Sequence, residues 1–433
     1  MKSNILQKAE LARQASIKLA VLPTGIKNSA LLAIAKALKK SSKLILKANK
    51  KDTEEAKKSN LKDVLLKRLM LDKHKIDEMV EEVKNVAKLD DPVGKILSQV
   101  ELDRGLMLYQ VTCPIGVIGA IFESRPDAAV QISTLCLKSG NSVILKGGSE
   151  AKNSNKALVK IISETAKRNK MPKGAIQLLE TREEVSQMLK LNEFIDLVIP
   201  RGSSKFVKYV QEHTKIPVLG HSEGICHVFV DKHADIKKAI DICFDAKCQY
   251  PAVCNAMETM LVHKDIAKRF LPLMIKKFKK ANVEIRGDDK TGKIVKNIKK
   301  ATEKDWATEY NDLILSVMIV SDLNEAIGHV NKYGSRHTDA IVTENKKNAQ
   351  LFMDLVDSAS VIWNASTRFA DGFRYGKGAE VGISTAKIHS RGPVGLEGLV
   401  IYKYKLIGKG QVVKDYVGKN AKKFRHRVIK KLF

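Results

Sequence analysis

Residues 114–150 read PIGVIGAIFESRPDAAVQISTLCLKSGNSVILKGGSE, and this stretch decides the fold. Two short apolar runs, 117–122 and 142–145, flank a segment that begins near Asp127 and has apolar residues at helical spacing. A strand, a helix and a second strand in this order form a βαβ unit, whose strands lie parallel in one sheet. The stretch therefore predicts an α/β fold around a parallel sheet.

The alternation continues beyond this unit in two series, the second of which begins near Cys226. The first series has further predicted strands at 175–179, 194–199 and 216–219, and the second has predicted strands at 226–230, 258–262, 313–320, 338–342 and 360–362. Amphipathic segments separate these strands, and helical spacing also covers the first ~90 residues. Two α/β domains with helices on both sheet faces are expected.

Two further segments stand apart from these series. Extended candidates at 96–102 and 106–112 meet at a hairpin turn, and a late strand at 399–407 is long enough to pair with them. Beyond Gly410 the chain is basic and alternates Lys or Arg with Val, Ile and Phe. This pattern fits a basic amphipathic helix or a solvated extension, and we expect the extension.

Composition narrows the class of protein. With 433 residues, 44% of them hydrophobic, the chain can bury sizeable cores in two or three domains. The net charge of +29 would attract anions, but only 15 of the 77 basic residues are Arg and aromatics make up 5%. We therefore expect a lysine-rich solvated surface, with recruitment of anionic substrates as the alternative, and no specific nucleic-acid partner.

The location follows from three negative features. The longest uncharged run, 105–122, is broken by Gly and Pro, so no membrane span is expected. The N-terminus lacks the continuous apolar core of a secretory signal. Six Cys without short-spaced pairs indicate a reducing compartment, so the predicted location is the cytoplasm.

Several catalytic motifs are missing from the sequence. It contains no G-x-x-x-x-G-K-[ST], H-E-x-x-H, G-x-S-x-G or G-x-G-x-x-G pattern. Nucleotide kinases, zincins and ordinary Rossmann dehydrogenases therefore lose support.

Cys254 is the cysteine whose position suggests chemistry. It lies in QYPAVCN, on a loop after a predicted helix and before a predicted strand, where it is either a nucleophile or an inert loop cysteine. Cys113, Cys136, Cys226 and Cys243 lie in apolar stretches and are expected to be buried. We expect no metal site, because the cysteines lack C-x-x-C spacing and the nearby histidines have no ligand-like register. His221 and His227 are expected to be structural.

A loop rich in small, polar and cationic residues runs from Asn364 to Thr385 after an apolar strand. Arg grips carboxylate or phosphate with two hydrogen bonds, and Gly lets backbone approach a ligand closely. A ligand-binding loop is favoured over a long flexible turn, because such length without function is uncommon in compact domains.

Five long motifs carry a resemblance to known proteins. They are PIGVIGAIFESRPDAAVQ, LKGGSEAKNSN, the stretch from GHSEGICHVFVD to YPAVCNAMETMLVH, YGSRHTDAIVTEN, and WNASTRFADGFRYGKGAEVGIST with the following HSRGPVGLEGL. Together they resemble the gamma-glutamyl phosphate reductase family of the aldehyde dehydrogenase superfamily, as far as about Gln411.

The resemblance implies an aldehyde dehydrogenase-like fold with two Rossmann-like α/β domains and a small β oligomerisation flap. The implied boundaries are 1–94 and 113–223 for the cofactor-binding domain, 224–398 for the catalytic domain, 95–112 and 399–412 for the flap, and 413–433 for a basic tail. It also implies a homo-oligomer, either dimer or tetramer, and a possible functional coupling to glutamate 5-kinase.

The implied reaction is the NADPH-dependent reduction of L-glutamyl 5-phosphate to L-glutamate 5-semialdehyde and phosphate. It is the second step of proline biosynthesis from glutamate. Cys254 matches the nucleophile that would carry a thioester, and the expected oxyanion donors are its backbone N–H, Ser124 and Asn255. Oxidising relatives carry a Glu in an E-L-G-G motif to activate water, whereas this chain has Val-Leu-Gly-His at 218–221. Reduction of another activated acyl group, such as a CoA thioester, remains an alternative.

The resemblance also implies binding residues. For substrate they are Arg125, with a helix-start salt bridge as its alternative, and Asn364, Ser366, Thr367 and Arg368. For cofactor they are Lys146, Ser149, Glu150, Gly202, Ser203 and Glu309. Lys146 would favour the 2′-phosphate of NADPH and Glu150 would oppose it, while Val207 replaces a superfamily Gly near the pyrophosphate. The segment YGSRHTDAI is expected to pack near the cleft.

Three other functions remain in view. A binder of nucleic acid or anionic surfaces would use the net charge and the basic tail. An inactive scaffold is disfavoured by the intact Cys254 and its loops. A cysteine acyl hydrolase would need a His base paired with Cys254, which sequence spacing does not reveal.

Overall fold

The computed structural model describes residues 4–61, 63–123, 125–221 and 223–431. The helices are α1 (Asn4–Leu19), α2 (Thr24–Lys40), α3 (Ser42–Lys58), α4 (Asp63–Leu69), α5 (Lys73–Lys88), α6 (Pro126–Lys138), α7 (Lys152–Arg168), α8 (Arg182–Met188), α9 (Ser204–Glu212), α10 (Ile236–Cys248), α11 (Lys264–Lys280), α12 (Asp289–Ile294), α13 (Glu303–Trp306), α14 (Leu323–Tyr333) and α15 (Lys346–Leu355).

The strands are β1 (Ile96–Asp103), β2 (Leu106–Pro114), β3 (Val117–Phe122), β4 (Ser142–Gly147), β5 (Ile176–Leu178), β6 (Leu197–Arg201), β7 (Cys226–Val230), β8 (Met257–His263), β9 (Glu284–Gly287), β10 (Lys299–Lys300), β11 (Ile314–Val320), β12 (Thr338–Val342), β13 (Ser360–Trp363), β14 (Gly382–Ser384), β15 (Gly392–Val394), β16 (Val400–Ile407) and β17 (Arg427–Lys431).

The first parallel sheet has the order β5-β4-β3-β6, and the βαβ unit of residues 114–150 lies at its centre. Both faces are covered, because Ile118 and Phe122 enter one hydrophobic core while Val117 and Ile121 enter another. One predicted strand was wrong. Residues 216–219 form no strand and contribute only one isolated β-bridge, between Val218 and Val198. Their apolar sequence pattern resembles a strand because Ile216 and Leu219 are buried.

The second sheet is wholly parallel, with the order β10-β9-β11-β8-β7-β12-β13. Its two faces also pack into separate cores, one around Phe270 and Phe278 of α11 and the other around Phe352 of α15. The predicted α/β fold class is therefore confirmed. Strands β8, β7 and β12 are neighbours, so the segments that precede them meet at one edge.

The third sheet is antiparallel and has the order β16-β2-β1-β17. Strand β16 pairs with β2 from Val400 opposite Pro114 to Ile407 opposite Met107. The predicted pairing of a late strand at 399–407 with the early hairpin is therefore confirmed. The end of the chain differs from the expected solvated extension, because β17 pairs with β1. An alternating stretch next to an open strand edge is a suitable partner for such pairing. Within the residues described, no helix combines the length and apolarity needed to cross a membrane.

Candidate active site

Cys254 lies on the short turn between α10 and β8, at the edge where the second sheet begins. Its side chain is half-buried, and its backbone packs directly against Gly224. A Cβ at Gly224 would lie 2.2 Å from the Cys254 carbonyl oxygen and 2.5 Å from its Cα. The Cys226 thiol donates to the same carbonyl oxygen at 3.1 Å. The cysteine backbone is therefore fixed by close contact with the segment that leads into β7.

Two histidines lie beside this thiol. The ligand atoms of His221, Cys254 and His337 all lie within 4.8 Å of one another, and the two imidazole rings meet edge to face at 4.8 Å. The Nδ1 of His221 lies 2.9 Å from the carbonyl oxygen of Ile383, and the Nδ1 of His337 lies 2.8 Å from the Thr338 hydroxyl. In both rings, Nε2 is thus left for the thiol.

This arrangement corrects two expectations. His221 was expected to be structural, and the histidines near the cysteines were expected to have no ligand-like register. Both expectations relied on spacing along the chain, whereas His221, Cys254 and His337 precede β7, β8 and β12, which lie side by side. The three groups meet because these strands are neighbours in the sheet. An alternation of strands and helices along the sequence predicts a parallel sheet but does not specify which strands are neighbours. His227 is structural as predicted, with its buried Nδ1 2.9 Å from Asp339.

Electrostatics stabilise the thiolate of Cys254. Burial by itself would raise the pKa of this thiol, but His337 and His221 outweigh burial and hold the pKa well below its usual value. Burial would lower the pKa of His221, whereas Cys254 and the Ile383 carbonyl raise it to about 9. A thiolate and an imidazolium therefore face each other at neutral pH.

The other cysteines differ from Cys254. All six lie in the described part of the chain, and each is a free thiol. Cys136, Cys226 and Cys243 are buried as predicted, whereas Cys113 is only half-buried. Burial raises the pKa of Cys136 and Cys243, so these thiols stay protonated.

Two arginines, Arg125 and Arg201, lie near each other, and Arg201 also lies near Cys254. Arg125 stands at the N-cap position of α6 and pairs with Asp127 at 2.8 Å, so the salt bridge considered as its alternative role is present. Arg201, at the end of β6, lies 3.6 Å from Glu380, and its Nη1 is buried without a hydrogen-bond partner among the described residues. Burial and the neighbouring Arg125 lower the pKa of Arg201. The sequence interpretation missed Arg201, although it directly precedes the predicted cofactor residue Gly202.

The loop after β13 contributes a buried turn. Ser366 accepts a hydrogen bond from the backbone N–H of Arg368, whose Nε donates to Gln249 at 2.9 Å. The Thr367 hydroxyl is buried and has no partner within the described part of the structure. Asn364 has a positive φ of 53° and uses its amide to bond the backbone N–H and carbonyl of Thr343. Its side chain therefore anchors the loop to the end of β12.

The expected oxyanion donors are only partly described. Asn255 is buried and donates to the carbonyl oxygen of Ala370 at 2.9 Å, which leaves its second amide hydrogen available. Ser124 lies outside the described residues. The backbone N–H of Cys254 lies in the turn ahead of β8.

The predicted cofactor residues lie at the carboxyl edge of the first sheet. Lys146 is the penultimate residue of β4 and is buried, with Nζ donating to the Gly147 carbonyl at 2.6 Å, and burial lowers its pKa. Ser149 and Glu150 follow in a short turn. Gly202 and Ser203 follow β6 and open α9, so all these residues share one edge.

These residues fit a dinucleotide cofactor. The N-terminal turn of α9 suits a pyrophosphate. The missing Cβ at Gly202 lets the Glu123 carboxylate approach this turn, since a methyl group would lie 2.9 Å from its carboxyl carbon, and a bound anion would displace that carboxylate from the backbone N–H of Ser203. Glu309, the remaining predicted cofactor residue, lies apart from this edge and near Cys254. Burial and the nearby Cys254 raise the pKa of Glu309, which places its carboxylate beside the thiol.

The two sheet edges face each other across this site. Arg68, from the N-terminal helices, donates to the Ala252 carbonyl in the cysteine turn. The segment 380–383 contacts both sides, because Glu380 pairs with Arg201 and the Ile383 carbonyl meets His221. The site thus joins a dinucleotide-type edge to an activated thiolate, which suits redox chemistry on an acyl group held by sulfur.

Comparison with known proteins gives the class first. The model of the aldehyde dehydrogenase family matches residues 2–312. An acetylating aldehyde dehydrogenase from Geobacillus thermoglucosidasius, 16% identical, superposes with a TM-score of 0.67 over 94% of this chain and 97% of that one, which supports the fold alone. The chain belongs to the aldehyde dehydrogenase family, a family of oxidoreductases.

Two nearer relatives narrow the family further. Gamma-glutamyl phosphate reductase of Methanococcoides burtonii is 56% identical over 437 aligned positions, covering 99% of this chain and 97% of the relative. The crystal structure of gamma-glutamyl phosphate reductase from Thermotoga maritima is 44% identical, with a TM-score of 0.91 over 95% of this chain and all of that one. Within the aldehyde dehydrogenases, the chain belongs to the gamma-glutamyl phosphate reductase family.

Proposed function

We propose that this enzyme reduces L-glutamyl 5-phosphate to L-glutamate 5-semialdehyde and phosphate, with NADPH as the reductant. This is the second step of proline biosynthesis from glutamate. The observation that carries the proposal is the thiolate of Cys254 between His221 and His337, in a chain of this family. A thiolate is the form of cysteine that attacks an acyl group.

In the first step, the Cys254 sulfur attacks the carbonyl carbon of the acyl phosphate. A C–S bond forms, the C–O bond to phosphate breaks, and phosphate leaves as an anion with the bonding electron pair. Arg201 and Arg125 are the cations that we assign to this leaving group. The unpartnered Nη1 of Arg201 has an unused donor for a phosphate oxygen.

The carbonyl oxygen becomes negative during this attack and needs hydrogen-bond donors. We assign this role to the backbone N–H of Cys254, the free amide hydrogen of Asn255 and Ser124. One such donor contributes about 3 kcal/mol to transition-state stabilisation, or ~10²-fold in rate. Ser366, Thr367 and Arg368 are assigned to the amino-acid end of the substrate, and Asn364 keeps their loop in place.

The second step regenerates the cysteine. When NADPH is bound, it supplies the hydride that reduces the Cys254 thioester. Cys254 then leaves as a thiolate when the thiohemiacetal collapses to the aldehyde. We assign Lys146, Ser149, Glu150, Gly202, Ser203 and Glu309 to the cofactor. Lys146 supports the choice of NADPH, since its ammonium can neutralise part of a 2′-phosphate.

The site lacks the carboxylate with which oxidising relatives activate water against a thioester. Those relatives carry a Glu base in the segment where this chain has Val-Leu-Gly-His at 218–221. In the free enzyme, the Cys254 thiolate and the Ile383 carbonyl raise the pKa of His221 to about 9, and acylation of the sulfur would remove the first of these causes. The same cysteine and histidine pair could serve a cysteine acyl hydrolase, because such hydrolases also rest as a thiolate beside an imidazolium, and the phosphate dependence of NADPH formation distinguishes the two functions.

The experiment runs the reaction in reverse, with semialdehyde, NADP and phosphate, and follows NADPH formation by absorbance. We expect formation that requires phosphate and that disappears in Cys254→Ala, while Cys248→Ser stays active as a matched control. Equal turnover without phosphate would identify an oxidising dehydrogenase. Equal turnover with coenzyme A in place of phosphate would favour the CoA-thioester alternative.

We further propose a cytoplasmic homo-oligomer, dimer or tetramer, assembled through the flap. Strand β16 lies at the edge of its sheet and exposes Ile401, Tyr404, Leu406 and Ile407. Light scattering on the full chain measures the assembly, and replacing Tyr404 by Lys should weaken it.

Functional coupling to glutamate 5-kinase stays a prediction. Turnover that requires the kinase and occurs without release of free acyl phosphate would support it.

A further inference from the structure

The three groups at the nucleophile form a donor set with a second use. His221, Cys254 and His337 supply two imidazole nitrogens and one cysteine sulfur, and these atoms lie within 4.8 Å of one another. Zinc binds such nitrogen and sulfur ligands, and three protein ligands leave one position open. We infer that His221, Cys254 and His337 form a binding site for a thiophilic divalent cation such as Zn²⁺.

The histidine rings are already oriented as metal ligands usually are. Ligating imidazoles mostly hold their other ring nitrogen in a hydrogen bond to a carbonyl or a side chain. The Nδ1 of His221 meets the carbonyl oxygen of Ile383, and the Nδ1 of His337 meets the Thr338 hydroxyl. Each contact fixes its ring with Nε2 as the remaining ligand atom.

An independent observation points to a ligand at this place. His337 is completely buried, with 0% of its surface exposed, and in the part of the chain that the structure describes its Nε2 has no nitrogen or oxygen partner and lies beside the Cys254 sulfur. A metal ion held by that sulfur would also satisfy this buried ring nitrogen. On binding, the cation would displace the proton that the Cys254 sulfur and the His221 Nε2 share, so that both atoms coordinate it.

Metal binding here would block the enzyme reversibly. The cation would occupy the lone pair with which Cys254 attacks, and it would also shield the sulfur from alkylating reagents. The site goes beyond the proposed reaction, because its occupancy is measurable whether or not Cys254 is the nucleophile. Zinc at the nucleophile would make reductase activity respond to the concentration of free metal.

The test uses the full-length protein, freed of metal with a chelator and titrated with Co²⁺ as a spectroscopic substitute for Zn²⁺. We expect one Co²⁺ per chain, a thiolate-to-cobalt charge-transfer band and the strong visible bands of four-coordinate cobalt. Zn²⁺ should bleach these bands by displacement. It should also slow iodoacetamide alkylation of Cys254.

Two ligand variants and two controls define the site. Loss of one hydrogen-bonding partner of a ligand weakens metal binding about 10–100-fold, so losing the ligand itself should cost at least about 100-fold. Cys254→Ser should abolish the charge-transfer band, and His337→Gln should weaken binding by that factor. Cys248→Ser and His213→Gln, which alter a cysteine and an exposed histidine outside the site, should bind cobalt like the unaltered chain.

The outcomes separate clearly. Circular dichroism and a melting curve confirm that each variant is folded before it is titrated. Absence of a charge-transfer band in the unaltered protein would overturn the inference, as would undiminished binding in both Cys254→Ser and His337→Gln. If zinc binds but the phosphate-dependent reverse reaction is missing, the metal site stands and the proposed function fails.

Discussion

The carboxyl edge of the first sheet and the starting edge of the second sheet are built in opposite ways. At the first edge, Lys146 lies at the end of β4, and the other predicted cofactor residues of this edge follow β4 and β6 within a few positions: Ser149, Glu150, Gly202 and Ser203. At the second, Cys254 meets His221, 33 positions before it, and His337, 83 positions after it. The residues of the first edge are close together in the sequence, whereas those of the second edge are brought together by the order of the strands. Substitutions at the first edge should therefore change cofactor binding, and substitutions at the second edge should change the reactivity of Cys254.

Arg201→Met should have the largest effect among the predictions for the two edges. Arg201 ends a strand of the first sheet but carries an unpartnered Nη1, as far as the described residues show, and lies near Cys254. Truncating one partner of a buried charged contact costs about 2–5 kcal/mol, so kcat/KM for phosphate in the reverse assay should fall roughly 10³-fold. The KM for NADP should stay nearly unchanged.

Arg286→Met is the control for this variant, because Arg286 also pairs with carboxylates, those of Glu284 and Asp305, at another place in the fold. Its kcat/KM should change little. Equal loss for phosphate and NADP in Arg201→Met would contradict the assignment of Arg201 to the leaving phosphate.

Gly224→Ala should show how much the rate depends on the position of Cys254, because this substitution moves the cysteine without changing any reacting group. The added methyl group would lie 2.2 Å from the Cys254 carbonyl oxygen, so the cysteine turn must move. A shift of about 1 Å at a reacting group costs ~10²-fold, and kcat should fall by that factor while the fold persists. Gly328→Ala, in α14 with nothing within 4 Å of the new Cβ, is the matched control and should keep full activity. Full activity in Gly224→Ala would show that this contact does not position Cys254.

His221→Gln tests the electrostatics of the thiolate through its pH dependence. The pKa of Cys254 is lowered, so the reactive thiolate is present above that pKa and is lost as the pH falls through it. Without His221 the pKa moves back toward its usual value, and each unit of that rise lowers the thiolate fraction about tenfold at a pH below the new pKa. Iodoacetamide alkylation of Cys254 at pH 6.5 should therefore slow by at least about tenfold.

At pH 9.5 the same variant should react nearly as fast as the unaltered chain, because both then carry a thiolate. His213→Gln, at an exposed ring stacked on Tyr209, should follow the unaltered profile throughout. An unchanged pH profile in His221→Gln would remove His221 from the thiolate pair.

Lys146→Met should have the smallest effect of these substitutions, and it should change only cofactor binding at the edge of the first sheet. Lys146 is buried beside the turn that holds Ser149 and Glu150, so its loss should raise the KM for NADP about tenfold or less and leave the KM for phosphate unchanged. Lys156→Met, which removes a surface lysine paired with Glu180, serves as control. A fall in kcat without a change in the KM for NADP would show that Lys146 does not contact the cofactor.

The same contrast explains which parts could be predicted from the sequence. Strands β3, β7 and β12 have the bounds that the sequence predicts, because each is a short, wholly buried and mainly apolar stretch. Cys254 was identified because its loop lies between a helix and a strand in a long motif. The strand predicted at 216–219 was wrong, because the buried Ile216 and Leu219 give the segment an apolar pattern like that of a strand, although it does not form the hydrogen-bonded pairing of one.

The residues that sequence analysis missed depend on partners far along the chain. His337 lies in YGSRHTDAI, which was assigned only to packing near the cleft, and its place beside Cys254 requires β12 to neighbour β7. Arg201 was overlooked because its role depends on Glu380 and on the facing domain. Strand β17 needed the open edge of β1, which hydrophobic periodicity does not reveal.

The central claim is that Cys254 carries the glutamyl group as a thioester. The direct measurement is mass spectrometry of the protein after rapid acid quenching, with acyl phosphate generated in place by glutamate 5-kinase and with NADPH left out. The account predicts one glutamyl group per chain on the peptide containing Cys254, and its discharge when NADPH is added before the quench. A glutamyl group on any other side chain, or undiminished turnover by Cys254→Ser, would contradict it.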